Sequence, residues 1–433
     1  MRSRRAYLVL IAALVGAMAA NVAAALIFHH AGLPTGLWDL HFWAVWPGGH
    51  APSWMPVNDS WMPMRKAFEW LGARHAETLY QGVFFHQHVK FQYPPTSLLL
   101  FELPQALHIA VTDSELNAIG WMAVVVEAGA TAALACVAAG KMEIVRHAPL
   151  RLALAVTIGL AVFSFHSVMW AFSLGQIQAW LNAAFALAAL AFATGRHRTA
   201  GVLLGLVCLI KPQFGLFAIW AALRRKWTLL SGVLVTVGVG LVVSLMAFGW
   251  SNHVDYLSAI TFMNRHGEAY YPNSSVNGIL NRWLANDDPF VVDKTAFPPF
   301  NPVIYYVSLI SSLGLVGWVL ARRRIRGGDL NDFLAAAIVF TIASPIAWTH
   351  HLGILPPAFA VLAVGLLTAP RPARAALVLF VAYLASAVFI PPLTFAKSGL
   401  ASVIYALPLL GALIVVGMLA VRSPAAERFG ERM

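Results

Sequence analysis

The chain has 433 residues, 60% of them hydrophobic and 11% charged, with a net charge of +11. Soluble globular domains carry about 25% charged residues, so this composition excludes an ordinary soluble domain and predicts a polytopic membrane protein. The basic excess lies in short stretches between apolar segments, which fits orientation in a bilayer and not nucleic-acid binding, and the two cysteines, Cys136 and Cys208, both inside apolar segments, exclude a disulfide framework.

In chain order, apolar segments occur at 7–28, 95–111, 116–140, 151–173, 176–194, 200–222, 227–249, 302–321, 331–347, 350–368, 373–391 and 402–421. Most approach the ~20 residues that cross a bilayer as a helix. The first follows Arg2, Arg4 and Arg5 and is longer than the ~7 to 15 residues of a secretory apolar core, so it reads as an anchor. The expected fold is all-α: one integral membrane domain over 1–433 with about 12 transmembrane or re-entrant helices and two long polar loops, 29–94 and 250–300.

Most of the 29 Lys and Arg fall in clusters at the N-terminus, 141–151, 196–198, 224–226, 322–326, 371–374 and the C-terminal tail. If all face the cytoplasm, both termini are cytoplasmic and both long loops face outward. Two constraints follow. The stretch 95–140 crosses an odd number of times, and 200–222 enters and leaves on one side as a hairpin broken at Lys211 and Pro212. Irregular backbone at that depth is tolerated where it is buried in protein or lines a wet cavity. The alternative, in which all twelve segments span, places the clusters at 141–151 and 196–198 on the loop side.

Several polar constellations are candidates for chemistry. In the first loop, Asp59 precedes SWMPMRKAFEW and reads either as a helix N-cap or as a catalytic carboxylate, with Asp39 as its rival. His86 and His88 form a weak metal pair without a clear carboxylate partner. Tyr93, Pro94 and Pro95 make an extended entry into the next apolar segment. The corner SLGQIQ offers Gln176 and Gln178, amides that both donate to and accept from sugar hydroxyls. The second loop carries Asn273, Ser275, Asn277 and Arg282; Asn273 with Ser275 is formally a glycosylation sequon, and a guanidinium suits phosphate oxygens. His350 and His351 lie at a late corner after Pro345, placed to bind phosphate oxygens or to transfer a proton.

The stretches Asp59 with Leu79 and Tyr80, FQYPPTSLLLFELP, FSLGQIQAWLNAAFALA, GVLLGLVCLIKPQFGLF, PNSSVNGILNRW and SPIAWTHHLGILPP, taken in that order, resemble glycosyltransferase family 87. This is a polyprenol-phosphate-sugar-dependent family of the membrane-embedded GT-C class. The resemblance implies a GT-C-like fold and transfer of a hexose, commonly mannose, from a polyprenyl-phosphate donor to a lipid or glycan acceptor of the cell envelope. Transfer would occur on the outer face of the plasma membrane. By position, it implies Asp59 as the catalytic base and Lys211 as a cation for the donor phosphate, with His350 or His351 as the late histidine. The chain departs from the family pattern at Pro63, where an aromatic is frequent, and at Asn273–Ser275, where Asn-Gln-Ser is. Both changes fall where acceptor recognition is expected.

In the mechanism so expected, Asp59 takes the acceptor proton and the anomeric centre inverts, while Lys211, Arg282, His350 and His351 neutralise the departing phosphate. Tyr93, Gln176, Gln178, Asn273 and Asn277 are the candidates for sugar and acceptor contacts. No cofactor is expected, because the donor linkage carries the energy; a divalent metal stays open. The rival class is a lipid or glycan transporter or flippase, which also carries intramembrane charge and broken helices.

Overall fold

Apolar runs in a bilayer must satisfy their own backbone groups, and this chain does so with helices. The computed structural model describes residues 58–73, 75–141, 148–291, 296–322, 329–366, 372–388 and 390–420, with scattered helical positions between 11 and 23. Asp39 lies outside them. In order, the α-helices are α1 (Trp61–Gly72), α2 (Leu99–Ala106), α3 (Asp113–Lys141), α4 (Ala148–Phe163), α5 (His166–Ser173), α6 (Gln178–Ala193), α7 (His197–Cys208) and α8 (Leu216–Leu223). They continue with α9 (Trp227–Phe248), α10 (Trp250–His266), α11 (Val276–Trp283), α12 (Pro302–Ala321), α13 (Asp329–Ile342), α14 (Pro356–Leu366), α15 (Pro372–Ala387) and α16 (Leu407–Ala420).

Among the described residues, four helices are long and apolar enough to span a membrane: α3, α9, α12 and the run Gly399–Ala420 that ends in α16. The pair Pro149–Phe163 and His166–Ser173, bent by 54°, forms either a broken span or a re-entrant loop. Several other apolar segments form shorter helices, among them α6, α7 and α14. Among the described residues, the expectation of about 12 spanning or re-entrant helices therefore exceeds the count of full spans. Apolar content locates the segments, but polar corners divide them. The stretch 95–140 is one example: α2 has only 8 residues, and α3 alone is long enough to cross.

The segment 200–222 folds back as expected. α7 lies against α9 with near backbone contact: a Cβ added at Gly201 would sit 2.2 Å from the Leu229 carbonyl oxygen, an approach that small residues permit. Leu209 packs over Gly240, so this edge of the hairpin reaches about 20 Å along α9 from Trp227. After the break at Lys211–Pro212, α8 returns. The His197 ring lies 4.9 Å from that of Phe192, and the Lys226 ammonium lies 5.7 Å from the same ring. Both ends of the segment thus meet at one end of the bundle.

The same end gathers basic groups. Lys141 Nζ donates to the Ala193 carbonyl at 2.8 Å, Arg224 pairs with Asp332 at 2.6 Å and Lys226 with Asp329 at 2.5 Å. Lys141, the 196–198 stretch and the 224–226 stretch therefore share one end of the bundle.

The described parts of the two long loops, within 58–94 and 250–300, lie at the other end and are tied to each other. Asp255 on α10 accepts from Thr78 Oγ1 at 2.6 Å, from the backbone N–H of Tyr80 and Gln81 at 2.8 and 3.0 Å, and from Gln81 Nε2 at 3.2 Å. Burial alone would raise the Asp255 carboxyl, but hydrogen bonds from Thr78, Ser258 and Gln81 hold it below its usual range. Lys90 and Glu268 add an ion pair at 2.9 Å. Asp255→Ala is expected to cost about 1–3 kcal/mol through the donors it leaves unpaired. Thermal unfolding in detergent and faster protease nicking near residues 78–81 measure it.

Candidate active site

The site is assembled where the first loop meets the corner between α5 and α6. Gly175 has φ of +65°, a left-handed conformation that glycine adopts without strain and that turns the chain sharply between the two helices. The carbonyls of Leu174 and Gly175 accept from the backbone N–H of Asp59 at 2.9 Å and Ser60 at 3.2 Å. Two successive backbone bonds thus pin Asp59 to the corner. Its side chain is exposed, and Gln176 Nε2 donates to Asp59 Oδ2. Helix α1 starts at Trp61 with Ser60 at the N-cap position and no side-chain cap bond. Ser60 and not Asp59 thus stands at the N-cap position, and the Asp59 carboxylate meets Gln176.

Ser60, fully buried, bonds three ways: Oγ lies 2.7 Å from Gln176 Oε1, 2.8 Å from Tyr93 OH and 3.1 Å from the Ile177 amide nitrogen. Tyr93 is fixed in turn because its carbonyl accepts from Tyr80 OH at 2.5 Å. Burial is the main cause that raises the Tyr93 phenol, with the Asp59 charge adding to it; burial likewise pushes Tyr270 up to about 12, again with Asp59 contributing. Both phenols stay protonated at physiological pH.

From Tyr93 the chain runs through Pro94 and Pro95 to Thr96, whose hydroxyl donates to the Leu209 carbonyl. This links the Asp59 corner to the break in the 200–222 hairpin. Here Lys211 Nζ lies 2.5 Å from His351 Nε2. A charged lysine can only donate, so His351 accepts at Nε2 and carries its proton on Nδ1. A second connection runs through rings: Tyr270 to Trp348 at 6.2 Å, Trp348 to His350 at 6.4 Å and His350 to His351 at 4.8 Å between centroids.

The second loop and the late corner hold each other. Asn273 and Trp348 form an isolated antiparallel bridge, Asn273 Oδ1 accepts from the Ala347 amide at 3.0 Å, and Ser275 Oγ donates to the Pro345 carbonyl at 2.7 Å. Asn273 is buried, so the formal sequon is not presented at the surface. Asn277 Oδ1 accepts from the Glu268 amide at 3.2 Å and from Asn281 Nδ2 at 2.8 Å. Arg282 is fully buried and donates through Nη1 to the carbonyls of Tyr270 and Asn273 at 3.4 and 3.1 Å, while Nε and Nη2 have no partner among the described residues. Burial lowers its guanidinium to about 9, which leaves it charged at neutral pH.

Gln178 lies on the far side of the corner from Asp59's partner Gln176, buried, with Nε2 donating to Asn182 Oδ1 at 2.7 Å. Asn182 in turn packs on Gly353, where an added Cβ would meet its Nδ2 at 2.0 Å. His86 pairs with Glu77 at 2.9 Å in an exposed position, and among the described residues no group of three or more His, Cys, Asp and Glu could hold a metal. Three residues escaped the sequence reading: Ser60, Thr96 and Asn182. Only Asn182 left a signal there, because it stands one helical turn from Gln178.

A membrane bundle of helices with an exposed carboxylate at its loop end, and a lysine–histidine pair at a break below, defines a polytopic protein with a built polar site. The family model for glycosyltransferase family 87 matches residues 91–349, and the chain belongs to that family. The match begins after Asp59 and stops just before His350. A curated relative, the polyprenol-phosphate-mannose-dependent alpha-(1-2)-phosphatidylinositol mannoside mannosyltransferase of Mycolicibacterium smegmatis, is 26% identical over 176 residues, which covers 38% of this chain and 37% of that protein. The alignment thus spans well under half of the relative's length. No solved structure matches the chain.

Proposed function

We propose that the protein is a membrane glycosyltransferase that moves a hexose, mannose by analogy with its relative, from a polyprenyl-phosphate donor to a lipid or glycan acceptor of the cell envelope. The basic groups gathered at the end opposite the long loops support an orientation with those loops, and the site, on the extracytoplasmic face of the plasma membrane. Both termini are then cytoplasmic.

The observation that carries this reading is one of placement. A carboxylate held by Gln176 and a cation paired with His351 are joined by a short stretch of chain, Tyr93 to Thr96. In the proposed reaction Asp59 accepts the proton of the acceptor hydroxyl, whose oxygen attacks the anomeric carbon from the face opposite the phosphate. The bond between that carbon and the phosphate oxygen breaks, the centre inverts, and polyprenyl phosphate leaves with the electron pair. Lys211, with His351 and His350 beside it, stabilises that phosphate in a low-dielectric setting. Arg282 contributes through the Tyr270–Asn273 loop whose carbonyls it holds, and its unpartnered Nε and Nη2 keep N–H donors in reserve for the anionic substrates. Tyr93 and Gln176 bound the acceptor site, while Gln178, Asn273 and Asn277 shape the corners around it.

Purified protein in liposomes, given radiolabelled polyprenyl-phosphate hexoses and extracted envelope lipids, is expected to yield a hexosylated lipid or glycan and free polyprenyl phosphate in equal amounts. Movement of intact donor between leaflets without hexose transfer would instead identify a flippase.

A further inference from the structure

Beyond the base itself, we infer that Ser60 is the positioning residue that fixes which end of the Gln176 amide faces Asp59. The inference rests on Asp59 acting as the base, but its argument is a separate count of protons. The two ends of a carboxamide are similar in shape and opposite in polarity, so a glutamine beside a carboxylate is useful only if its nitrogen faces the oxygen. At this corner the carboxylate takes the nitrogen and Ser60 holds the oxygen from behind.

Ser60 Oγ has one proton and two lone pairs. It lies 2.7 Å from Gln176 Oε1, which can only accept, so the hydroxyl proton goes there. Its lone pairs then take the Ile177 N–H at 3.1 Å and the Tyr93 O–H at 2.8 Å. The Ile177 amide is a donor by chemistry, and the Tyr93 phenol has its other short contact, at 3.3 Å, on Gln176 Oε1 as well. With Nε2 on the acceptor-only Asp59 carboxylate, Gln176 Oε1 points back to Ser60 and Tyr93, and the Ser60 hydroxyl donates to it at 2.7 Å. Ser60 is fully buried, so water does not compete for the arrangement.

The device has a chemical consequence. An N–H donated to a carboxylate favours its charged form, whereas a carbonyl oxygen turned toward it disfavours that form. Removing the Ser60 hydroxyl leaves Gln176 Oε1 short of its main donor and releases the amide to turn. The rising acid limb of the rate profile, which reports deprotonation of the base, then moves to higher pH. The titratable groups facing Asp59 are the phenols of Tyr93 on the first loop and Tyr270 on the second, both raised by burial. On α1 and α3, Arg65 pairs with Asp113 at 2.7 Å, and Asn58 Nδ2 donates to the same carboxylate at 3.3 Å. Both phenols, raised by burial, lie above the acid limb on which Asp59 is read.

The test is kcat/KM against pH for Ser60→Ala, Ser60→Thr, Gln176→Leu and Asp59→Asn in the reconstituted enzyme. The expected result is an acid limb shifted upward by about one pH unit in Ser60→Ala, a plateau close to wild type, an unchanged KM for the donor, and a wild-type limb in Ser60→Thr. If Ser60→Ala does not fold, Gln176→Leu serves in its place, because it removes the amide while keeping the hydroxyl, and it is expected to show the same upward shift. A wild-type limb in whichever of the two folds, with Asp59→Asn inactive, overturns this inference and leaves the base in place. Wild-type transfer by Asp59→Asn overturns both.

Discussion

Asp59→Asn is expected to lower transfer by about 10²- to 10⁴-fold, the contribution of a positioned general base, while leaving donor binding near the wild-type level. The reasoning is geometric. Asp59 is exposed at the loop end, held by two backbone bonds from the α5–α6 corner and by Gln176. Asparagine keeps the size and the reach but cannot take a proton. Because the donor phosphate is assigned to Lys211 and His351, a different part of the site, the substitution leaves the binding of lipid-linked donor intact. Single-turnover transfer with labelled donor, together with a filter-binding measurement on the same preparation, separates the two. A variant that transfers at the wild-type rate would remove Asp59 from the chemistry and leave the base to be found elsewhere.

Lys211→Ala is expected to produce the complementary pattern: weaker donor binding and a fall of about 10²- to 10³-fold in kcat/KM for the donor, the scale seen when one preorganised group is removed from a developing oxyanion. Lysine within a bilayer costs roughly 3 kcal/mol on insertion scales, so its presence at a break in a re-entrant hairpin needs a compensating partner. His351 supplies a neutral acceptor at 2.5 Å, but a neutral ring does not cancel the charge. An anionic substrate does. Lys211→Arg, which keeps the charge but spreads it over a wider plane, is expected to retain part of the activity. If Lys211→Ala binds donor as tightly as wild type, the ammonium serves the hairpin alone.

How much of this was legible in the residues varied by element. The hairpin at 200–222 was, because basic groups at both ends of a single apolar segment force it to return to the side it came from. Its ends do meet around Phe192. The number of full spans was not, because an apolar run of about twenty residues looks the same whether it continues straight or bends, as α4 and α5 do by 54° at Ser164 and Phe165. For the site, Asp59, Gln176 and Lys211 stood out as polar groups in oily or aromatic surroundings. Ser60 did not, because a serine before a helix is the ordinary helix start, and here its hydroxyl turns to a residue more than a hundred positions away.

The sequence by itself determined that this is a polytopic membrane protein of glycosyltransferase family 87, with basic stretches between its apolar segments and polar corners at fixed places along the chain. Those follow from composition, from segment length against bilayer thickness, and from the order of local stretches. Only the tertiary structure decided which corners meet: that the first loop lies on Gly175, that Thr96 reaches Leu209, and that Lys211 faces His351 and not Arg282. The physical reason is that such contacts depend on directed hydrogen bonds between distant segments, which leave no periodic trace in either partner.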